Sequence, residues 1–446
     1  MKKLKGNEII NFLFCNNEFS LKSDFIIELD KTEFEIETDF SKYDNIEWDF
    51  RTTNEINRQE NLHCVDNKGN QFTLLDCYIC PLNIPCTKVK VIWNSIIYGL
   101  HISNYNQLFV DRAVFKIDNK KYTYRISIGK NKFAIENDTI EVNTTWGKKQ
   151  YKHRYDGVVV EFNPIKSMLL LDLIKSFNLL LEIYFLQIGY FPDTINTSFR
   201  VNKKLCFMVN PNKSNYSSKA NNVRLETRLF LSDSDYSLMY SNYKILDEVN
   251  SPLFNMFYNN QSETNNFMEV DTFVYIQCLE SYYTSFNKSY ALFKDDKRKE
   301  ISKLIFNILK DNSELNQVIE SVYSNTPDFY DFLNGMLSNI NKKSLKKIIN
   351  DVFESELISL VMKYEIDNNI IKKFKNKIYK HRNFIAHINK DLNARFIGEE
   401  NKLAQDKFKL IFRLCVLSDI GANIEQKQLQ SCIEDINRWY KLNKLN

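Results

Sequence analysis

At Pro164 the hydrophobic pattern changes from period two to that of a long apolar helix, and this change limits the fold more than any other feature. Before it, apolar residues alternate with polar ones. Phe34-Glu35-Ile36-Glu37 and Tyr122-Thr123-Tyr124-Arg125-Ile126-Ser127-Ile128 repeat at period two, the spacing of a half-buried strand. Val89 to Trp93 and Val158 to Phe162 are β-branched or aromatic runs bounded by turn residues, and they read as further strands. Between His63-Cys64-Val65 and Gln71-Phe72-Thr73-Leu74-Leu75, the polar segment Asp66-Asn67-Lys68-Gly69-Asn70 has the chemistry of a hairpin loop. An antiparallel sheet or sandwich is therefore expected up to about residue 163.

After Pro164 the spacing becomes helical. A helix is predicted over 166–190, stopping near Gly189 with Pro192 beyond it. Asp172, Lys175 and Glu182 within Met168 to Phe191 favour a buried helix over a membrane span. Residues 193–265 are mixed, and Asn210 to Asn222 reads as an exposed loop. From about Phe267 the chain reads as helical. Ile276, Leu279, Tyr283, Phe286 and Tyr290 recur at three- and four-residue steps, followed by amphipathic stretches at 295–310 and 344–365. A chain of 446 residues exceeds one ordinary core. The expected fold is thus α+β: a β-rich region over 1–265, with sheet to about 163, helix 166–190 and mixed segment 193–265, then an all-α bundle over 266–446.

A net charge of +4 over this length is too small for a general nucleic-acid coat, so any basic patch must be local. Nine cysteines, an odd and scattered set, point to a reducing, cytoplasmic setting. The patch from Ile9 to Cys15 contains Asn11 and lacks a small-residue cleavage site, so no signal peptide is expected. Cys77 and Cys80, flanked by Cys64 and Cys86 with His63 nearby, superficially resemble a zinc set. A single Cys-x2-Cys with irregular outliers is a weak signal, and ordinary β-domain cysteines are the preferred reading. No phosphate loop, His-Glu-x-x-His pair or nucleophile elbow is present, which leaves ATP-driven and serine-hydrolase chemistry without support. No cofactor is expected.

The chemistry-bearing segment is Arg382-Asn383-Phe384-Ile385-Ala386-His387, in a Lys-rich stretch read as a helix from Ile370. Its apolar stripe runs Ile371, Phe374, Ile378, Ile385, and the missing beat falls on His381 and Arg382. Two strong polar groups at core phase are costly to bury unless paired, so they are expected to face a cleft or a subunit junction. Asn383 and His387 share one face with Tyr379 a turn before them, whereas Arg382 lies about 140° around the helix from His387. A composite site from two copies across a twofold axis would bring each Arg382 to the other chain's His387. There, imidazole could move the 2′-hydroxyl or leaving-group proton of RNA, guanidinium could stabilise phosphoryl charge, and Asn383 could orient either. Products would be 2′,3′-cyclic phosphate and 5′-hydroxyl ends.

Lys373, Lys377 and Lys380, with Lys372, Lys375 and His381, are candidate contacts to RNA, against the alternative of a plain solvated face. Glu280 is a candidate for holding Arg382 or His387, against a surface role; Tyr379 is a second orienting candidate. His63, His101 and His153 have no partners legible in the sequence.

With those residues in view, the region from about Phe267 to the end resembles a HEPN ribonuclease domain. Arg382 and His387 match that family's Arg-x4-6-His pair, and Asn383 its usual polar neighbour. His387 is followed by Ile388-Asn389, so the subset of HEPN toxins modified on a tyrosine two residues on is a poorer match. Gln71 to Cys77, Tyr98 to Ile102, Leu169 to Leu181 and Phe273 to Tyr283 are similar to segments of ApeA-type anti-phage proteins. The resemblance implies a metal-independent endoribonuclease acting in abortive infection, tRNA among its candidate substrates, as a homodimer or higher homo-oligomer. It also implies restraint or triggering by the N-terminal region and a phage-derived trigger. The competing expectation is a catalytically silent HEPN bundle that binds nucleic acid or protein.

Overall fold

The computed structural model describes residues 3–14, 17–29, 31–37, 57–82, 88–118, 129–135, 138–146, 157–189, 194–209, 229, 231, 235–262, 268–286, 295–322, 329–331, 333, 345–354, 368–387, 396–425, 427 and 429–434. The expected strand at Tyr122 to Ile128, the expected loop at Asn210 to Asn222, and His153 lie outside these residues. The chain forms two compact units: residues 1–248, 261–264 and 415–428 in one, and 249–260, 265–414 and 429–446 in the other.

The first unit carries the strands. They are β1 (Lys3–Phe14), β2 (Asn17–Glu28), β3 (Glu33–Glu37), β4 (Asn57–Asp66), β5 (Gln71–Pro81), β6 (Lys88–Ile92) and β7 (Ser95–Tyr98), then β8 (Phe109–Val110), β9 (Arg112–Asp118), β10 (Gly129–Ile135), β11 (Asp138–Trp146), β12 (Gly157–Asn163), β13 (Met168–Leu169), β14 (Thr194–Val201) and β15 (Lys204–Val209). Thirteen strands join in antiparallel pairs in the order β10-β11-β12-β9-β14-β15-β7-β5-β4-β1-β2, with β6 and β3 branching from β5. The branch has a local cause. Asp76 sits at φ 52°, and β5 pairs with β7 before this residue and with β6 after it. A positive φ at a non-glycine residue breaks the pleat and lets one strand serve two partners.

Paired residues point to the same face, so the register shows two cores on opposite sides of one sheet. Phe115, Thr197, Met208, Ile97 and Thr73 follow one another across β9, β14, β15, β7 and β5 on one face. That face takes helix α1 (Leu170–Ile188), with Phe115 stacked on Phe177 at 4.0 Å between ring centroids. Phe207, Tyr98, Phe72 and Cys64 follow one another on the other face. There a separate core gathers Leu62, Cys64, Phe72, Leu74, Cys77, Ile79, Val91 and Trp93. Helix α1 ends as its sequence requires: Gly189 adopts φ 88° and its N–H returns to the Phe185 carbonyl at 2.7 Å.

The β4–β5 hairpin is built as expected. Val65 pairs with Gln71, and Gly69 takes φ 78°. Burial pushes the Asp66 carboxyl up, but donors from Asn70, Tyr98 and Lys68 outweigh it and hold the group below its usual range. Two histidines whose partners the sequence did not show meet here, His63 on β4 and His101 in the segment after β7. His63 Nε2 is 2.9 Å from the Ile102 carbonyl, His101 Nε2 is 2.9 Å from that of Cys64, and the rings stack at 4.9 Å. Cys64 and Cys77 are fully buried, with Cys64 pushed up by desolvation, so neither presents a thiolate. Among the described residues no three His, Cys, Asp or Glu side chains are grouped to hold a metal, and Cys86 lies outside them. Cys80 is only partly buried.

Helix α2 (Tyr236–Ser262) begins on Asp235, whose carboxylate accepts from the Ser237 and Leu238 N–H groups. It is interrupted at Asn250, two residues before Pro252, where a helical hydrogen bond is lost. Its first half lies on α1 through Tyr236 to Gln187 at 2.6 Å and Tyr243 to Glu182 at 2.9 Å. Burial, and then the charge of Asp247, lift the Glu182 carboxyl to about 8.

The second unit is helical among its described residues: α3 (Met268–Phe286), α4 (Asp295–Lys310), α5 (Ser313–Val322), α6 (Leu345–Glu354), α7 (Asn368–His387) and most of α8 (Gly398–Asp419). Phe412 is its aromatic hub, with Phe257 at 4.0 Å, Tyr282 at 5.6 Å and Phe254 at 6.2 Å. Helices α3, α6 and α7 pack on one another, and a buried Thr272–Asn401 hydrogen bond ties α3 to α8. A β-rich part is therefore followed by a helical part, the α+β arrangement read from the sequence, but the sheet does not stop near residue 163 as expected: β14 and β15 enter its middle, between β9 and β7.

Candidate active site

Helix α7 carries Lys372, Lys373, Lys375, Lys377, Lys380 and Arg382, and no acidic residue in its length. Its inner face is an aromatic and aliphatic seam. Phe374 stacks on Phe408 at 5.8 Å and meets Phe396 at 5.7 Å, and Ile378 is buried.

The missing beat of the stripe is filled by His381, with no exposed surface at all. Its Nδ1 accepts the backbone N–H of Phe396 at 3.1 Å, and its ring lies tilted against the Phe396 ring at 5.2 Å. This corrects the expectation that His381 faces a cleft or touches RNA. A polar residue at core phase is tolerated where a partner satisfies it, and here the partner is a loop amide fifteen residues away.

One residue on, about 100° around the helix, Arg382 leaves the seam at its edge. Its side chain is 25% exposed, and its Nε lies 3.6 Å from Oε2 of Glu280 on α3. That distance makes an ion pair without a hydrogen bond, and the Nε is buried with no hydrogen-bond partner. Glu280 also accepts from Gln277 at 3.1 Å. Thus α3 and α7 bring the carboxylate and guanidinium together from 102 residues apart in sequence.

Asn383 is half-buried, and Tyr379 and Lys380 are exposed. Lys377 is ion-paired with Glu400 and lies over the Phe396 ring at 5.5 Å, which commits its charge within the unit. His387 is the last residue of α7; its side chain and that of Lys373 lie outside those described. Because the helix is continuous from Arg382 to His387, the two backbone positions keep the separation of about 140° read from the sequence. Two residues that matter to this geometry, Phe396 and Glu400, were missed. Each acts on α7 from beyond its C-terminal end in sequence, and nothing near them in sequence marks the partnership.

Lys407 and Arg413 on α8 are buried cations, brought down to about 8 and about 10 respectively by desolvation. Lys407 Nζ stands 5.3 Å from the Phe374 ring, so the inner side of α7 is lined by a lysine as well as aromatics.

Residues 273–426 match the family model described as Apea-like HEPN. Over these residues the chain is similar to Apea-like HEPN domains. The match spans α3 to α8 and takes in Glu280, Arg382 and His387. No curated protein and no solved structure matches the chain. HEPN domains are generally ribonucleases, and the matching region here carries the Arg382 guanidinium on a Lys-rich helix. Among the described residues no helix is long and apolar enough to cross a membrane.

Proposed function

We propose that the chain is an anti-phage, abortive-infection endoribonuclease whose HEPN domain cuts RNA without a metal. Two copies supply one composite site. Arg382 stabilises the phosphoryl charge, His387 transfers protons to and from the 2′-oxygen and the leaving 5′-oxygen, and Asn383 orients one of them. The 2′-hydroxyl oxygen attacks phosphorus, the P–O5′ bond breaks, and the ends carry 2′,3′-cyclic phosphate and 5′-hydroxyl. Lys373 and Lys380 hold the backbone, and tRNA is the first substrate class to try. The β-rich region 1–265 regulates the nuclease at 266–446 in response to a phage-derived trigger, in the cytoplasm.

The observation that carries this reading is Arg382 at the edge of a helix seam, one side against Glu280, on a helix without acidic residues. The angular offset between positions 382 and 387 supports two chains over one. A silent HEPN module that binds nucleic acid or protein is the rival reading, with Arg382 serving only its ion pair to Glu280.

The test is cleavage of total RNA by the purified protein in EDTA, beside Arg382→Ala and His387→Ala. Cleavage abolished by either substitution and indifferent to EDTA supports the proposal. Cleavage that survives both, or that EDTA stops, defeats it.

A further inference from the structure

The motif helix is fixed by the residue immediately before its arginine. We infer that His381 is a positioning residue for Arg382, acting as a neutral hydrogen-bond acceptor and not as a contact to RNA; this rests on the reading of Arg382 as a catalytic residue.

Four observations converge on it. His381 is completely buried, at the centre of the inner face of α7, where Phe374 and Ile378 lie within about 60° of it around the helix. Its Nδ1 takes the Phe396 N–H, so the neutral ring keeps its proton on Nε2. Phe396 is also fully buried, and is wedged between the His381 and Phe374 rings. Lys377, one turn before His381, pairs with Glu400 and covers the same ring, so the start of α8 is held to α7 at two points.

The consequence is rotational. A helix packed only by aliphatic contacts can turn or slide by a fraction of a residue at little cost, because such contacts have no direction. A hydrogen bond to a single backbone amide has direction, and it sets the azimuth of α7 about its axis. Arg382 follows at 100°, so this azimuth decides whether its guanidinium stays beside Glu280 and faces the phosphoryl site. A protonated ring would set an Nδ1–H against the Phe396 N–H, so the neutral tautomer is part of the device.

The experiment uses the full-length chain. An Asn side-chain oxygen can take the place of Nδ1, whereas Leu fills similar volume without an acceptor. His381→Leu is expected to lower kcat for RNA cleavage roughly 10- to 100-fold with KM little changed, as a misplaced catalytic group does. His381→Asn is expected to recover most of that loss. Hydrogen–deuterium exchange at residues 396–400 should speed up in the Leu variant and stay near the unsubstituted rate in the Asn variant. Equal activity of the Leu variant and the unsubstituted protein, or equal impairment of both variants with unchanged exchange, overturns the inference.

A measurement on the unsubstituted protein, which needs only one of the two variants to fold, guards against loss of the other. With selective 15N-histidine labelling, only five histidines contribute. His381, assigned as the signal missing from the Asn variant or the Leu variant, whichever folds, should show a neutral ring protonated on Nε2. An Nδ1–H or charged ring at neutral pH overturns the inference. If the unsubstituted protein cuts no RNA, the exchange and 15N results still decide the anchoring at Phe396, and the loss falls on the proposed nuclease activity alone.

Discussion

Glu182→Gln should make the β-rich unit more stable at alkaline pH and flatten its dependence on pH. In the folded protein the Glu182 carboxyl is lifted from 4.5 to about 8, first by burial and second by Asp247, against the lowering effect of the Tyr243 hydroxyl. The unfolded chain releases this proton at an ordinary carboxylate pKa. Between those two values the native state holds more protons than the unfolded one, so stability falls as pH rises through the window and levels off above about 8. At about 1.4 kcal/mol for each tenfold in proton affinity, the full effect approaches 5 kcal/mol. The partial exposure of the side chain brings the expected range to roughly 3–5 kcal/mol.

Gln keeps an acceptor for Tyr243 and cannot ionise. Urea denaturation at pH 5.5, 7 and 9, followed by near-ultraviolet circular dichroism, is the assay. The unsubstituted protein should lose midpoint steadily across the series, while Glu182→Gln should gain on it at pH 9 and show little change near pH 5.5. Parallel curves for the two proteins would refute the assignment of a buried, protonated carboxyl between α1 and α2.

Glu280→Gln removes the carboxylate beside Arg382. The expected result is a loss of about 1–3 kcal/mol in stability of the helical unit, since one member of a half-buried ion pair is left behind, together with reduced RNA cleavage. Calorimetry and the EDTA assay check it, and a variant with unaltered melting and activity would make the pair incidental. Phe412→Ala opens a void among Phe257, Tyr282 and Phe254 and should cost about 3–5 kcal/mol, read as a lowered urea midpoint.

Local rules made much of the fold legible. The hairpin at 66–70 announced itself through Asp66 and Gly69, and the first helix through its stop at Gly189, but the return of the chain to the sheet at β14 and β15 did not show in the periodicity. The branched path of β5 was not legible, because Asp76 alone does not say that two other strands will compete for one. At the site, the phase of the motif helix was read correctly and then misapplied. His381 and Arg382 were treated as one polar pair, but a step of 100° sends one into the core and the other to its edge. Which of the two has a partner depends on Phe396 and Glu280, contacts set by tertiary folding. The stacking of His63 on His101 was hidden for the same reason, as ring partners 38 residues apart leave no local trace.

The most direct test of a two-chain Arg382–His387 centre is complementation between inactive proteins. Arg382→Ala and His387→Ala, each inactive alone, are mixed under conditions that exchange subunits, and RNA ends bearing 2′,3′-cyclic phosphate are counted in EDTA. In a mixed dimer one of the two Arg382–His387 pairs of the composite site has an intact arginine from one chain and an intact histidine from the other. The mixture should recover roughly a quarter of the unsubstituted activity. A mixture that stays as inactive as its components, with mixed dimers verified by mass, would contradict the composite centre.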